Sequence, residues 1–213
     1  LDPSDDVITV IDLSNQAVVR TIGVGEGPEK MLISGNYLYV CLKGGYNFNN
    51  QVAAISLNGL SLEESIVVGD VPNSLVSDPN GDIWVLCEGI PAWTNSETKG
   101  TLYSINKNNF DVSHLTFDMG DHPVLLNIEL NDLYYHLNGQ VYRMNVLDTE
   151  LPEQSVAGVA GSFYTMEVNL GELYATNAGD FNSEGTLRVF DLDTGLSKNT
   201  ISTGIIPGDI VFP

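Results

Sequence analysis

A Gly-x-x-Pro punctuation recurs along the chain at Gly25 to Pro28, Gly69 to Pro72, Gly120 to Pro123 and Gly204 to Pro207, with Gly158 to Gly161 as a degraded copy. Successive copies start 44, 51, 38 and 46 residues apart. A period of that size marks a supersecondary unit that cannot bury its faces alone and packs on copies of itself. Each copy separates two strand-like runs. Glycine admits positive φ there, and proline fixes φ while giving up an amide that the ladder does not use.

The second repeat shows what lies between punctuation marks. Strand a follows Pro72 as Ser74-Leu75-Val76-Ser77, and Asp78-Pro79-Asn80-Gly81 is a turn. Strand b is Ile83 to Cys87, strand c is Leu102 to Ile105, and strand d is Val112 to Phe117. Strand b recurs as Tyr37 to Val40, Leu133 to Tyr135 and Leu173 to Ala175; strand c as Val7 to Ile11, Val52 to Ile55, Val141 to Met144 and Leu187 to Phe190. No window holds a helical apolar period, so helix is expected to be nearly absent. After each strand c stands a short polar residue (Asp12, Ser56, Asn106, Asn145, Asp191) of the kind that closes a tight turn on its own backbone. Tyr39, Trp84, Tyr134 and Tyr174 share one position in strand b and are expected to pack between sheets.

Four antiparallel strands every ~45 residues is the pattern of β-propeller blades. The fold class is therefore all-β: a single β-propeller domain over residues 1–213, about five repeats, with junctions near 25, 69, 120, 158 and 204. Leu1 to Asp6 reads as the tail of a b–c loop, and Asp209 to Phe212 as a strand a with no strand b after it. Residues upstream of Leu1 are expected to supply that strand, and up to two further blades.

Lys and Arg number 8 against 28 Asp and Glu, a net charge of −20. So acidic a surface repels phosphate backbones and anionic lipid heads, which makes nucleic acid and anionic membranes poor partners. Cys41 and Cys87 sit one position out of step on equivalent strands, an offset that points them to opposite faces. They are expected to be free and buried.

Val7-Ile8-Thr9-Val10-Ile11-Asp12, the run from Thr21 to Pro28, and Tyr37-Leu38-Tyr39-Val40 resemble the YVTN-type or surface-layer-type propellers of exported bacterial proteins. Pro72-Asn73-Ser74, Asn80 to Cys87, Val141 to Met144 and Gly204 to Gly208 are similar to bacterial surface propellers that share no agreed reaction. The resemblance implies seven blades in the complete protein, export to the periplasm or outer surface, and often a lipid anchor on an upstream cysteine. That anchor would be the chain's link to a membrane. No catalytic residue is carried over.

In a propeller the b–c and d–a loops open on one end, where rigid all-β scaffolds place their sites. Three b–c loops join an aromatic ring to amide or carboxylate groups: Tyr46, Phe48 and Asn49; Glu88 and Trp93; Asn177, Asp180, Phe181 and Asn182. Flat rings stack on sugar faces or clamp peptide side chains, and Asn and Asp bond hydroxyls. The competing expectation is that the rings fold back over the blade ends. The third repeat turns tightly at Asn138-Gly139, so its rim would be low. At the starts of strand a, Glu29, Lys30, Asn73 and Asp209 are expected to face the channel, with His122 in a junction turn. The shared aromatic-plus-amide character of the three loops, with no catalytic or metal motif beside it, favours a binding protein, with a protein or glycan partner and no cofactor. The alternative is a lactonase- or lyase-like hydrolase holding a divalent cation at the axis through Glu29, Asn73 and Asp209.

Overall fold

The computed structural model describes residues 6–212; Leu1 to Asp5, with the acidic Asp2 and Asp5, lie outside the described residues. Among the described residues there are seventeen β-strands, one 3-10 turn and no α-helix. The chain's contacts divide it into two compact units, one ending at Val124 and one starting at Leu125.

The first unit holds three antiparallel sheets. β1 (Val7–Asp12) pairs with β2 (Ala17–Gly23). β3 (Pro28–Ser34), β4 (Tyr37–Leu42), β5 (Gln51–Ser56) and β6 (Ser61–Val67) form a four-stranded meander. β7 (Pro72–Ser77), β8 (Ile83–Cys87), β9 (Thr101–Ile105) and β10 (Val112–Thr116) repeat it. Strands a to d of these two repeats are thus observed in order. Each strand a begins on the junction proline, and the register slips just after it, between Pro28 and Met31 and between Pro72 and Ser74. A residue without an amide hydrogen fits the place where the ladder is interrupted.

β4 and β8 are buried on both sides. Tyr39 and Cys41 face one way, into a cluster with Val52, Ala54, Ile66, Ile83, Val85, Cys87 and Ile105. Val40 and Leu42 face the other, joining Ile8, Ile22, Val24, Ala53 and Ile55. Alternation along a strand sends successive side chains to opposite sides, so a strand between two sheets must be apolar at every position. Each fully buried Leu, Ile or Val contributes roughly 1.5–3 kcal/mol.

The cysteine offset acquires a different meaning here. Cys41 and Cys87 are free and buried, as expected. Pointing to opposite faces of equivalent sheets does not separate them, because the opposite faces of neighbouring sheets meet. Both thiols therefore lie in one cluster.

β11 (Val124–Glu129), which starts at the boundary and otherwise lies in the second unit, makes with β12 (Asp132–Leu137) and β13 (Gln140–Asn145) a sheet of three strands, not the expected four. The segment that should supply strand d carries Pro152, Gly158 and Gly161 and lacks an alternating apolar run. It runs beside β13 with an isolated bridge between Gln140 and Ala160, and inserts Val159 into the core. β14 (Thr165–Asn169), β15 (Glu172–Asn177), β16 (Thr186–Asp191) and β17 (Ser197–Ser202) form a complete four-stranded sheet. Tyr134, Met166, Leu173, Ala175 and Phe190 fill the layer between the two sheets. Asp209 to Phe212, expected as a strand a, is not a strand; among the described residues no strand lies beside it to form a ladder.

All five residues after strand c close their turns. Asp12, Asn106 and Asn145 accept from the amide two residues on, Ser56 and Asp191 from the amide three on, at 2.8–3.2 Å. The junction glycines have separate reasons. Gly25, Gly120 and Gly158 take φ of +113°, +89° and +78°, but Gly69 and Gly204 do not adopt positive φ. Gly69 is there for space: a Cβ would sit 2.0 Å from the Thr101 hydroxyl oxygen and 3.1 Å from Cys87 Cβ.

Candidate functional site

In the first unit the b–c loops after β4 and β8 meet the junctions at one end of the sheets. The Val71 amide donates to Asn49 O at 2.8 Å, and the Glu88 amide donates to Val71 O at 2.9 Å. The junction Gly69–Pro72 thus stitches the two loops together. Across them Lys43 Nζ lies 3.7 Å from the Glu88 carboxylate.

His122 enters from the next junction. Its Nδ1 donates to the Glu88 carbonyl oxygen at 2.8 Å, and its Nε2 lies 3.5 Å from the Glu97 carboxylate. Donation at Nδ1 fixes the tautomer of the neutral ring; donation at both nitrogens belongs to the imidazolium. Of the residues read from sequence, Glu88 and His122 are brought together. Lys43 and Glu97 were missed. Lys43 follows β4 as Glu88 follows β8, so a position-by-position alignment of strand ends carries a signal for it. Glu97 has no such equivalent.

The loops that carry these polar groups also carry exposed aromatic side chains. Trp93 sits on the 3-10 turn Ala92–Thr94 and is 80% exposed. Its loop is braced from within: Thr98 Oγ1 accepts from the Ile90 amide at 2.8 Å, the Thr98 amide donates to Ile90 O at 3.0 Å, and Thr94 Oγ1 donates to Pro91 O at 2.8 Å. Tyr46 is fully exposed and Phe48 is 44% exposed. Tyr46 and Trp93 do not fold back over the sheet ends.

Several polar groups expected to meet a ligand are engaged in holding loops. Asn49 Nδ2 donates to Glu26 O at 2.9 Å and its Oδ1 accepts from the Asn50 amide. Asn73 Nδ2 donates to Pro123 O at 2.9 Å, while its Oδ1 accepts from Ser74 Oγ at 2.7 Å. Both Glu29 and Lys30 are exposed on β3. Among the described residues no group of three His, Cys, Asp or Glu side chains is placed to hold a metal ion.

The second unit carries its own long b–c loop after β15. Asn177 Nδ2 donates to Ser162 O at 2.8 Å, and its Oδ1 accepts from the Gly179 amide. Asp180 accepts from the Asn182 and Ser183 amides, and those bonds hold its carboxyl below the usual carboxylate range. Asn182 Nδ2 returns to Asp180 O at 3.0 Å. Phe181, at φ +63°, meets Tyr164 edge-on at 5.7 Å and is 55% exposed, so this ring leans on the structure as Trp93 does not. The third repeat turns tightly, with Asn138 and Gly139 both at positive φ and Leu137 paired with Gln140. Asp209 bonds its own neighbour, the Ile210 amide.

Known structures share this arrangement of strands. The chain aligns with the computationally designed Ika8 protein at TM-score 0.66 and 13% identity, over 92% of this chain and 56% of that one. It aligns with the Dos1 propeller at TM-score 0.58 and 11% identity, over 86% and 53% of the two chains. The fold is a β-propeller. A third similar structure, the extracellular domain of a hybrid two-component system of B. thetaiotaomicron, gives TM-score 0.61 at 15% identity, over 92% of this propeller and 27% of that chain. The propeller thus spans about half or less of the length of these chains. No family model matches it, and no curated protein does. Among the described residues no helix is long and apolar enough to cross a membrane.

Proposed function

We propose that this propeller is a non-enzymatic binding module of the bacterial cell surface or periplasm, of the YVTN or surface-layer type, that holds a protein or glycan partner on its b–c loops. The observation that carries the reading is Trp93: a large flat ring, exposed, on a loop whose backbone is fixed by its own hydrogen bonds. A side chain presented in this way loses little freedom when a partner covers it, and aromatic anchors over a polar base are what hot spots are built from. Tyr46 and Phe48 are exposed rings on the neighbouring b–c loop. Lys43, Glu88, Glu97 and His122, at the roots of the same loops, supply polar and charged groups for such a surface. An extracellular domain among the structural neighbours supports export as a setting. For the axial hydrolase reading, Asn73 has both ends of its amide engaged, and no observation favours it.

The test is a glycan array and a pull-down from envelope extract with the wild-type chain and with Trp93→Ala and Tyr46→Ala. Both variants replace exposed groups and should keep the wild-type Tm. A retained partner signal that falls about tenfold in each variant supports the reading. Signals that persist unchanged in both variants overturn it.

A further inference from the structure

We propose that the opposite end of the second unit, where its a–b and c–d turns lie, docks a basic amphipathic segment of a partner protein. Four leucines crown these turns: Leu130 and Leu147 at 81% exposed, Leu170 at 87% and Leu196 at 68%. They form one row. The Val146 amide donates to Asn131 O at 2.8 Å, which joins the turns of Leu130 and Leu147. The Glu129 carboxylate accepts from the Gly171 amide at 3.0 Å, which brings the Leu130 and Leu170 turns together. Leu192 N donates to Gly171 O, and Asp191 N to Leu196 O, which completes the row.

Neither folding nor packing asks for leucine at two of these places. Leu130 and Leu170 open two-residue turns at φ +55° and +54°, a region that disfavours branched L side chains. The equivalent turn of the first unit, at residues 35 and 36, opens with glycine at φ +57°. Two strained, water-facing leucines at matching turns are apolar groups held out for another surface.

Charge selects the occupant. Residues 125–213 contain twelve Asp and Glu against three Lys and Arg. Arg143 is bonded to Asp132, Lys198 lies between Glu172 and Asp191, and Arg188 packs over the Phe190 ring. Asp148 and Glu150 follow Leu147, and Asp193 precedes Leu196. An apolar row edged with carboxylates, whose cations are all engaged, fits a segment that interleaves leucine-sized residues with lysine or arginine.

The probe is a fluorescent helical peptide of leucine and lysine, titrated into the chain and followed by anisotropy. Controls are a leucine–glutamate peptide and a serine–lysine peptide. Leu130→Asn with Leu170→Asn is the decisive variant, since asparagine suits positive φ and should keep or raise Tm; Leu147→Ser with Leu196→Ser is the second. The proposal expects the leucine–lysine peptide to bind wild type about tenfold or more tightly than either variant, with both controls weak. Equal binding to wild type and variants, or equal binding of the leucine–glutamate peptide, overturns it. So does a wild-type dimer that the asparagine variant turns into monomer, which would make a second copy the occupant.

Discussion

The ring of His122 reaches back 34 positions in sequence to donate from Nδ1 to the carbonyl oxygen of Glu88 at 2.8 Å. Through that bond a junction turn holds the root of the loop that carries Trp93. Neither residue belongs to a catalytic pattern, and the bond explains their proximity in structural terms.

Replacing His122 by alanine should therefore destabilise the first unit by about 1 kcal/mol, the usual worth of a part-buried hydrogen bond. Amide exchange at Gly89 and Ile90 should quicken as the loop loosens. His122→Asn, whose Nδ2 can stand near the position of Nδ1, should recover most of both effects. Urea unfolding and hydrogen exchange check this. A His122→Ala variant with wild-type exchange in the 88–100 loop would show that the loop braces itself without the histidine.

The same junction motif contains two glycines with opposite expected tolerances. Gly69→Ala drives a Cβ to 2.0 Å from Thr101 Oγ1, inside a packed layer, and should cost about 1–3 kcal/mol. At Gly204 no atom lies within 4 Å of the added Cβ and φ is not positive, so Gly204→Ala should be near neutral. Adding Thr101→Ala to Gly69→Ala should recover part of the loss. Thermal unfolding of the four proteins measures the difference, and equal behaviour of the two glycine variants would refute the packing explanation.

That contrast shows what sequence can and cannot convey. The repeat, the strands of the complete blades and the five turn-closing residues after strand c were legible, because each depends on local backbone chemistry that recurs. The shared glycine was legible as a mark but not as a cause: Gly25 bends, whereas Gly69 makes room. The missing strand d of the third repeat was illegible in another way. Its residues 146–163 lie where the period demands a strand, and only the packing of Val159 beside β13 shows that an irregular segment fills the layer. For the candidate site, the aromatic residues were legible in the loops, but their exposure was not, because the same rings could fold back over the blade ends. Glu88 and His122 were named one by one, but their meeting with Lys43 and Glu97 was not legible, since the four come from three separate segments joined by the stacking of sheets.

The paired burial of Cys41 and Cys87 sets an alkaline limit on stability. Burial raises both thiols, Cys41 well above its usual value and Cys87 from 9.0 to about 12. A group whose folded pKa is raised contributes stability that is present below the unfolded value and lost as pH rises through the folded one. Stability should thus decline from about pH 9 toward pH 12, and Cys87→Ala should lessen the decline. At neutral pH neither thiol should react with Ellman's reagent until denaturant is added. Rapid native labelling would contradict the placement of both side chains in the core.

His136 sets a second limit, on the acid side. Its ring is buried in the second unit, tilted against Phe163 at 5.1 Å, with Nε2 donating to Gly161 O at 2.9 Å. Burial lowers its pKa below 6.5, and the carbonyl bond opposes that effect without cancelling it. A depressed folded pKa means that the unfolded chain takes up the proton first. Stability is whole above pH 6.5 and falls as pH drops through the folded value. His136→Gln removes the titration and retains an amide donor for Gly161, so it should flatten the Tm-versus-pH curve between pH 7.5 and 5. Asp12, Asp180, Glu172 and Asp191 are also depressed, by bonds to amides, hydroxyls or Lys198, but their losses begin nearer pH 4. The two losses begin at different pH. A curve for His136→Gln that matches wild type down to pH 5 would exclude this histidine as the source of the upper one.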